Sequence, residues 1–151
     1  QKSIGHCKNF KNKKTKRTRP MYKTGGFTYI YLIYGIYHCL NIVTGRKEKP
    51  QAVLIRAAEP VQGLDIIKQN RKIKSKKLKN LTNGPGKLCE ALNLDKTFNN
   101  IDLVQNNKLY IINEINENIK IKQGKRKNID YAEEYRNKKW RFYIKNNQYI
   151  S

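Results

Sequence analysis

Two runs of β-branched and aromatic residues meet at Tyr34-Gly35, within the stretch Thr28-Tyr-Ile-Tyr-Leu-Ile-Tyr-Gly-Ile-Tyr-His-Cys-Leu-Asn41. Side chains of these types fit a pleated, half-buried surface, so the runs predict strands over 28–33 and 36–43. Gly35 adopts positive φ without a steric penalty, and the pair predicts a tight hairpin turn. Turn tips ordinarily carry small polar residues. Here a large ring, Tyr34, stands at or beside the tip of a stiff antiparallel ribbon.

Charge gives that ring a meaning. The 151 residues carry 33 Lys and Arg against 11 Asp and Glu, a net charge of +22. Part of the excess is the Lys, Asn and Ile bias of an AT-rich genome, but no matching excess of Glu balances it. A polyanion is therefore the expected partner, with nucleic acid ahead of an anionic membrane. On such a protein an aromatic ring held out on a hairpin reads as a wedge between stacked bases. Cys7, Cys39 and Cys89 form no Cys-x-x-Cys pair, and His6 and His38 complete no metal cluster. Free thiols are expected, and no metal or other cofactor. Without a signal peptide or an apolar run near about twenty residues, a non-membrane, cytoplasmic protein is expected.

Along the chain, residues 1–25 read as a basic, turn-rich surface loop suited to tracking phosphates. Beyond the hairpin, Ala52-Val-Leu-Ile-Arg-Ala57 predicts a third strand that ends at Glu59-Pro60. Residues 61–79 predict a lysine-rich helix. Asn83-Gly-Pro-Gly86 opens a short helix over 85–92, with Pro near its first turn. Its amides either cap the helix or face a phosphate. Short strands are predicted at 109–113, 119–122 and 140–144. The fold class is α+β, mostly β: one domain built on a curved antiparallel sheet with a protruding hairpin and peripheral helices.

Four blocks together resemble the alkyladenine (3-methyladenine) DNA glycosylase family. They are Tyr29–Asn41, Ala52-Val-Leu-Ile-Arg-Ala-Ala-Glu-Pro60, Asn83-Gly-Pro-Gly-Lys-Leu-Cys-Glu-Ala-Leu92 and Trp140-Arg-Phe-Tyr-Ile144, followed by Tyr149-Ile-Ser151. The resemblance implies a monofunctional hydrolase of base-excision repair, acting as a monomer on double-stranded DNA. Such an enzyme flips a damaged purine out of the stack, because the glycosidic bond is unreachable inside it. By resemblance Tyr34 intercalates into the gap, Tyr31 stacks on the flipped base, and His6 contacts the purine edge. His6 lies in the context Ile4-Gly5-His6 where the family has Ala-Ser-His. Asn41 crowds the position of a guanine 2-amino group, and Arg56 lies beside the catalytic carboxylate and water. Arg126 matches an arginine that precedes a family loop. Read without the family, Tyr31 also fits a sheet core, Asn41 a strand-end turn, His6 a surface histidine and Arg56 a structural ion pair.

The family's general base is a Glu in a Glu-x-Tyr setting N-terminal to the pocket histidine, and Gln1–Gly5 do not contain it. The resemblance thus places it upstream of Gln1. The expectation is an N-terminally truncated domain or, alternatively, a non-catalytic nucleic-acid-binding protein. Favoured chemistry is attack of an activated water at C1′ as the purine leaves. A Schiff-base lyase would need a lysine desolvated in the pocket, and Lys87 is the one lysine within an apolar motif.

Overall fold

β1 (Thr28–Ile33) and β2 (Tyr37–Val43) form the predicted hairpin, paired antiparallel as Tyr29↔Asn41, Ile30↔Leu40 and Tyr31↔Cys39. β3 (Ala52–Leu54) joins the other edge of β2 through Val43↔Ala52 and Asn41↔Leu54. The computed structural model describes residues 14–72, 77–112, 119–129 and 135–151. A second sheet pairs β4 (Ile121–Gly124) with β5 (Arg141–Ile144), antiparallel, with Gly124 opposite Arg141. Two short helices, α1 (Leu64–Arg71) and α2 (Pro85–Ala91), complete the α+β fold. No described helix is long and apolar enough to cross a membrane.

The period of two along a strand divides the first sheet into two faces. On one, Tyr29, Val43 and Ala52 pack against Met21 and Tyr22 of a 3-10 turn, Arg19–Tyr22, with Phe27 and Tyr31 at the margin. On the other, Ile30 and Leu40 pack against Cys89 and Leu94 at the end of α2, with Ile55 and Phe98 beside them. Burial there pushes the Cys89 thiol up to about 11, so it stays protonated and unreactive at neutral pH. Cys39 and Cys89 are both buried. α1 lies behind α2, through Ile67, Leu81 and Ala91. Arg71 Nη1 donates to Glu90 Oε2 and ties the two helices together.

Several predicted elements are shorter or absent. Over 61–79 the helix is confined to Leu64–Arg71, entered through Gly63 at φ 72° and closed by Lys72 at φ 47°. Both caps are left-handed, which ends an α-helix. After residues 73–76, outside the described residues, a 3-10 turn runs over Leu78–Leu81. β3 stops at Leu54, and the backbone continues as a strap without regular secondary structure, residues 55–60, which pairs with no further strand among the described residues. The predicted strand at 109–113 is not a strand over 109–112. Asn106 Oδ1 accepts from the amides of Lys108 and Leu109, a side-chain turn that takes donors a ladder would need. Tyr110, Ile111 and Ile112 are exposed. The basic region is described only from Lys14 onward.

Thr28 locks this frame. Fully buried, it donates from Oγ1 to Phe98 O at 2.6 Å and accepts from Ile101 N at 2.8 Å. The strand is thereby fastened to a segment some seventy residues away. Thr28→Val keeps the shape but strands a carbonyl and an amide. It should lower stability by about 2 kcal/mol, read as a lower urea midpoint at unchanged m-value. An unchanged midpoint would show that the two groups find other partners.

Candidate active site

At the hairpin tip, Tyr34 has φ 53° and Gly35 φ 71°. Ile36 N closes the turn on Ile33 O at 3.1 Å. Two central residues with positive φ match a type I′ turn, the form whose twist suits a hairpin. Glycine at the second position meets this need; tyrosine at the first does not, and a non-glycine residue there stores about 1 kcal/mol of strain. The ring gains no burial in exchange, since Tyr34 is 83% exposed. Ile36 and Tyr37 are exposed beside it, so the tip is an apolar knob. Its base is braced. A Cβ on Gly86 would come within 3.0 Å of Tyr37, so only glycine lets the first turn of α2 approach the ribbon this closely.

Below the tip a cavity of about 430 Å³ opens on the sheet face opposite α2. Tyr31 and Asn41 line one side, the strap Ile55–Glu59 a second, and β5 with the chain end, Tyr149–Ser151, a third. Strand register explains why Tyr31 and Asn41 meet here: Tyr29, Tyr31 and Asn41 share a face. The Tyr29 ring lies 5.4 Å from that of Tyr31, tilted, which steadies the more exposed ring. Buried Asn41 donates from Nδ2 to Tyr29 O at 3.1 Å and to Cys39 O at 3.2 Å. Both partners are carbonyls and can only accept, so the amide orientation is determined and its oxygen is not engaged by them.

The cavity wall is electropositive. Burial, and then the charge of Arg141, lower the pKa of Arg56, with Cys39 opposing. Arg56 Nη2 donates to Ser151 Oγ at 3.2 Å, and Arg141 Nη1 to Ser151 O at 2.8 Å. The Nε atoms of both arginines are buried without a hydrogen-bond partner. Arg126 stacks over Trp140 at 5.4 Å and donates to Tyr135 O. The described ion pairs, Lys14–Glu48, Lys68–Asp65 and Arg71–Glu90, do not include Arg56 or Arg141. Among the described lining residues Glu59 has the carboxylate side chain; exposed, it accepts from Asn147 Nδ2 at 2.7 Å. The Arg17 guanidinium lies 5.6 Å from the centre of the Tyr31 ring.

The fold thus brings Tyr31, Asn41 and Arg56 to one cavity, and sets Tyr34 apart on the tip above it. His6 lies outside the described residues, as does much of the basic stretch 8–19 and residues 73–76 of the lysine-rich one. Sequence reasoning did not single out Arg141. The signal was available, since Arg141 is a charge in the otherwise apolar strand Arg141-Phe-Tyr-Ile144, as Arg56 is in Val53-Leu-Ile-Arg-Ala57. Asn147 had no comparable local signal.

Compared with known proteins, residues 5–148 match the family model described as methylpurine-DNA glycosylase. Three relatives carry the name "Putative 3-methyladenine DNA glycosylase". The protein of Natranaerobius thermophilus is 49% identical over 146 residues, covering 96% of this chain and 74% of the relative. That of Clostridium novyi is 47% identical over 149 residues, covering 95% and 73%. The Borreliella burgdorferi protein is 46% identical over 146 residues, covering 96% and 73%.

Backbone strain at the tip yields a prediction about the free protein. Tyr34→Asn should fold at least as stably as the parent, because asparagine tolerates the left-handed region. Tyr34→Val should be less stable by more than about 1 kcal/mol, because a β-branched residue does not. Thermal unfolding of both variants checks this. Equal stability would mean that the turn relaxes to another form, and a loss in Tyr34→Asn would mean that the ring is packed.

Proposed function

The chain belongs to the methylpurine-DNA glycosylase family, and from that premise we propose that it flips alkylated purines such as 3-methyladenine out of duplex DNA and hydrolyses their glycosidic bond. The observation that carries this reading is the arrangement of Tyr31, Asn41 and Arg56 around one cavity beneath an exposed aromatic tip. A family of DNA glycosylases acts on DNA, and the net charge of +22 suits that partner.

In this reading Tyr34 enters the stack and occupies the place of the extruded nucleotide, with Ile36 widening the wedge. Unstacking costs a few kcal/mol, and the inserted ring recovers part of it. Its left-handed backbone keeps the side chain pointed outward before DNA arrives, so little ordering remains to be done on binding. The base enters the cavity and lies against Tyr31. Alkylated purines are electron-poor, and their stacking on an electron-rich phenol ring favours damage over normal bases. Asn41, immobilised by two carbonyls, stands where an exocyclic amino group on the base would collide with it, and so selects against guanine.

Arg56 and Arg141 supply positive charge at the reacting end. Alone they would oppose the positive charge that develops on the sugar as the bond breaks. Phosphates entering with the flipped nucleotide take up that charge and fix its position. Glu59 lies exposed at the rim and is engaged by Asn147. Removal of a proton from the attacking water is therefore assigned to a carboxylate outside the described residues. Leaving is easy for a base already made cationic by alkylation, and harder for a neutral lesion, which needs a proton.

Two measurements test the proposal. The protein made from its complete coding sequence should release 3-methyladenine from duplex DNA, at a rate well above that for undamaged purines. Lesion-selective binding without release would instead favour a non-catalytic nucleic-acid-binding role. Asn41→Ser should shift the ratio of 7-methylguanine to 3-methyladenine release upward by about tenfold, the size of effect expected from relieving one steric clash of 1–3 kcal/mol. An unchanged ratio would make Asn41 structural alone.

A further inference from the structure

Residues 147–151 lace onto the strap after β3, fastened at two points. Asn147 holds the first: its Nδ2 donates to Glu59 Oε2, and its Oδ1 accepts from Tyr149 N at 2.7 Å. Tyr149 is buried between the fastenings. Ser151 holds the second and meets two arginines at once, Arg56 through its hydroxyl and Arg141 through its main-chain oxygen. Those guanidinium groups lie close enough that Arg141 disfavours the charge on Arg56. Both are long side chains, and both gain by swinging apart into water. What holds Arg56 in place among the described residues is one hydrogen bond, to Ser151 Oγ; its buried Nε has no partner.

We propose that Ser151 is a positioning residue for the base-release reaction: its two oxygens hold Arg56 and Arg141 side by side, so that the unengaged donors of Arg56 are presented to the nucleotide entering the cavity. This rests on the reading of Arg56 as an active-site group. The hydroxyl accepts from Arg56 and the main-chain oxygen from Arg141, so each guanidinium gives up one donor here and keeps others for an incoming oxyanion.

Ser151→Ala deletes the contact to Arg56 and leaves the main-chain oxygen for Arg141. In the protein made from its complete coding sequence, single-turnover base release should fall about tenfold, the loss expected for one hydrogen bond to a charged group. Affinity for the lesion duplex and thermal stability should stay within about twofold and a degree or so, since Ser151 is only half-buried. Ser151→Thr, which retains the hydroxyl, should restore release. The Arg56 Nε–Hε NMR signal should be sharp in the parent and in Ser151→Thr, and broadened in Ser151→Ala, a readout independent of turnover. Asn147→Ala, which loosens the lace at its other fastening, should lower stability without this specific broadening. Unchanged release and an unchanged Arg56 signal in Ser151→Ala would overturn the proposal, as would failure of threonine to rescue. Arg56→Ala separates the two readings: if it leaves release intact, the assignment of Arg56 is wrong. If it abolishes release while Ser151→Ala has no effect, only the role of Ser151 is wrong.

Discussion

The β1–β2 register is the constraint on which the remaining structure depends. It sets Tyr29 opposite Asn41 and Ile30 opposite Leu40, so that neighbours along one strand serve opposite faces. A slip of one residue would turn Leu40 toward the cavity and Asn41 into the helix-facing core. Neither position tolerates the exchange. A buried amide among Cys89 and Leu94 would lack partners, and leucine in the cavity would lack the donor that now spans two carbonyls. The tip confirms the register from one side through the turn at Tyr34-Gly35, and Thr28 confirms it from the other through its bonds to Phe98 and Ile101.

Around this ribbon the molecule is organised asymmetrically. One face is closed by α2 and the apolar residues that follow it, whereas the other is only partly covered, by the 3-10 turn at Arg19–Tyr22. The uncovered remainder becomes the cavity, roofed by the strap after β3 and by the second sheet. Thr82, buried under the strap, donates to Ala58 O at 2.6 Å and so ties the cavity wall to the helical layer. A rigid backing of this kind is what a site needs if its side chains are to stay within a fraction of an ångström of a working geometry.

How much of this could be read from the sequence varies with the range of the interaction. The hairpin was legible, because alternation of Tyr29, Tyr31, Cys39 and Asn41 against Ile30 and Leu40 is a local signal. Helix α1 was over-extended, because lysines compatible with a helix say nothing of the left-handed cap at Lys72. Tyr110-Ile-Ile112 has strand composition but meets no partner strand among the described residues, and composition alone cannot report a missing neighbour. The same limit applies to the cavity. Tyr31 and Asn41 share a face through the hairpin register, whereas the contact that Arg56 makes with Ser151 spans some ninety-five residues. The Arg56–Ser151–Arg141 contact is invisible to any window of local pattern.

The bracing of Tyr37 by Gly86 has a mechanical consequence. A hairpin whose root is clamped against a helix, and whose end is a turn of determined hand, is a stiff lever rather than a tether. When a stiff body meets a duplex, the softer of the two takes up the deformation. The work of entry is then governed by how readily a given step of the double helix opens, which differs from step to step. Under the proposed function, the protein would sample local pliancy of the DNA before any base reaches the cavity, and weakly stacked positions would be visited first.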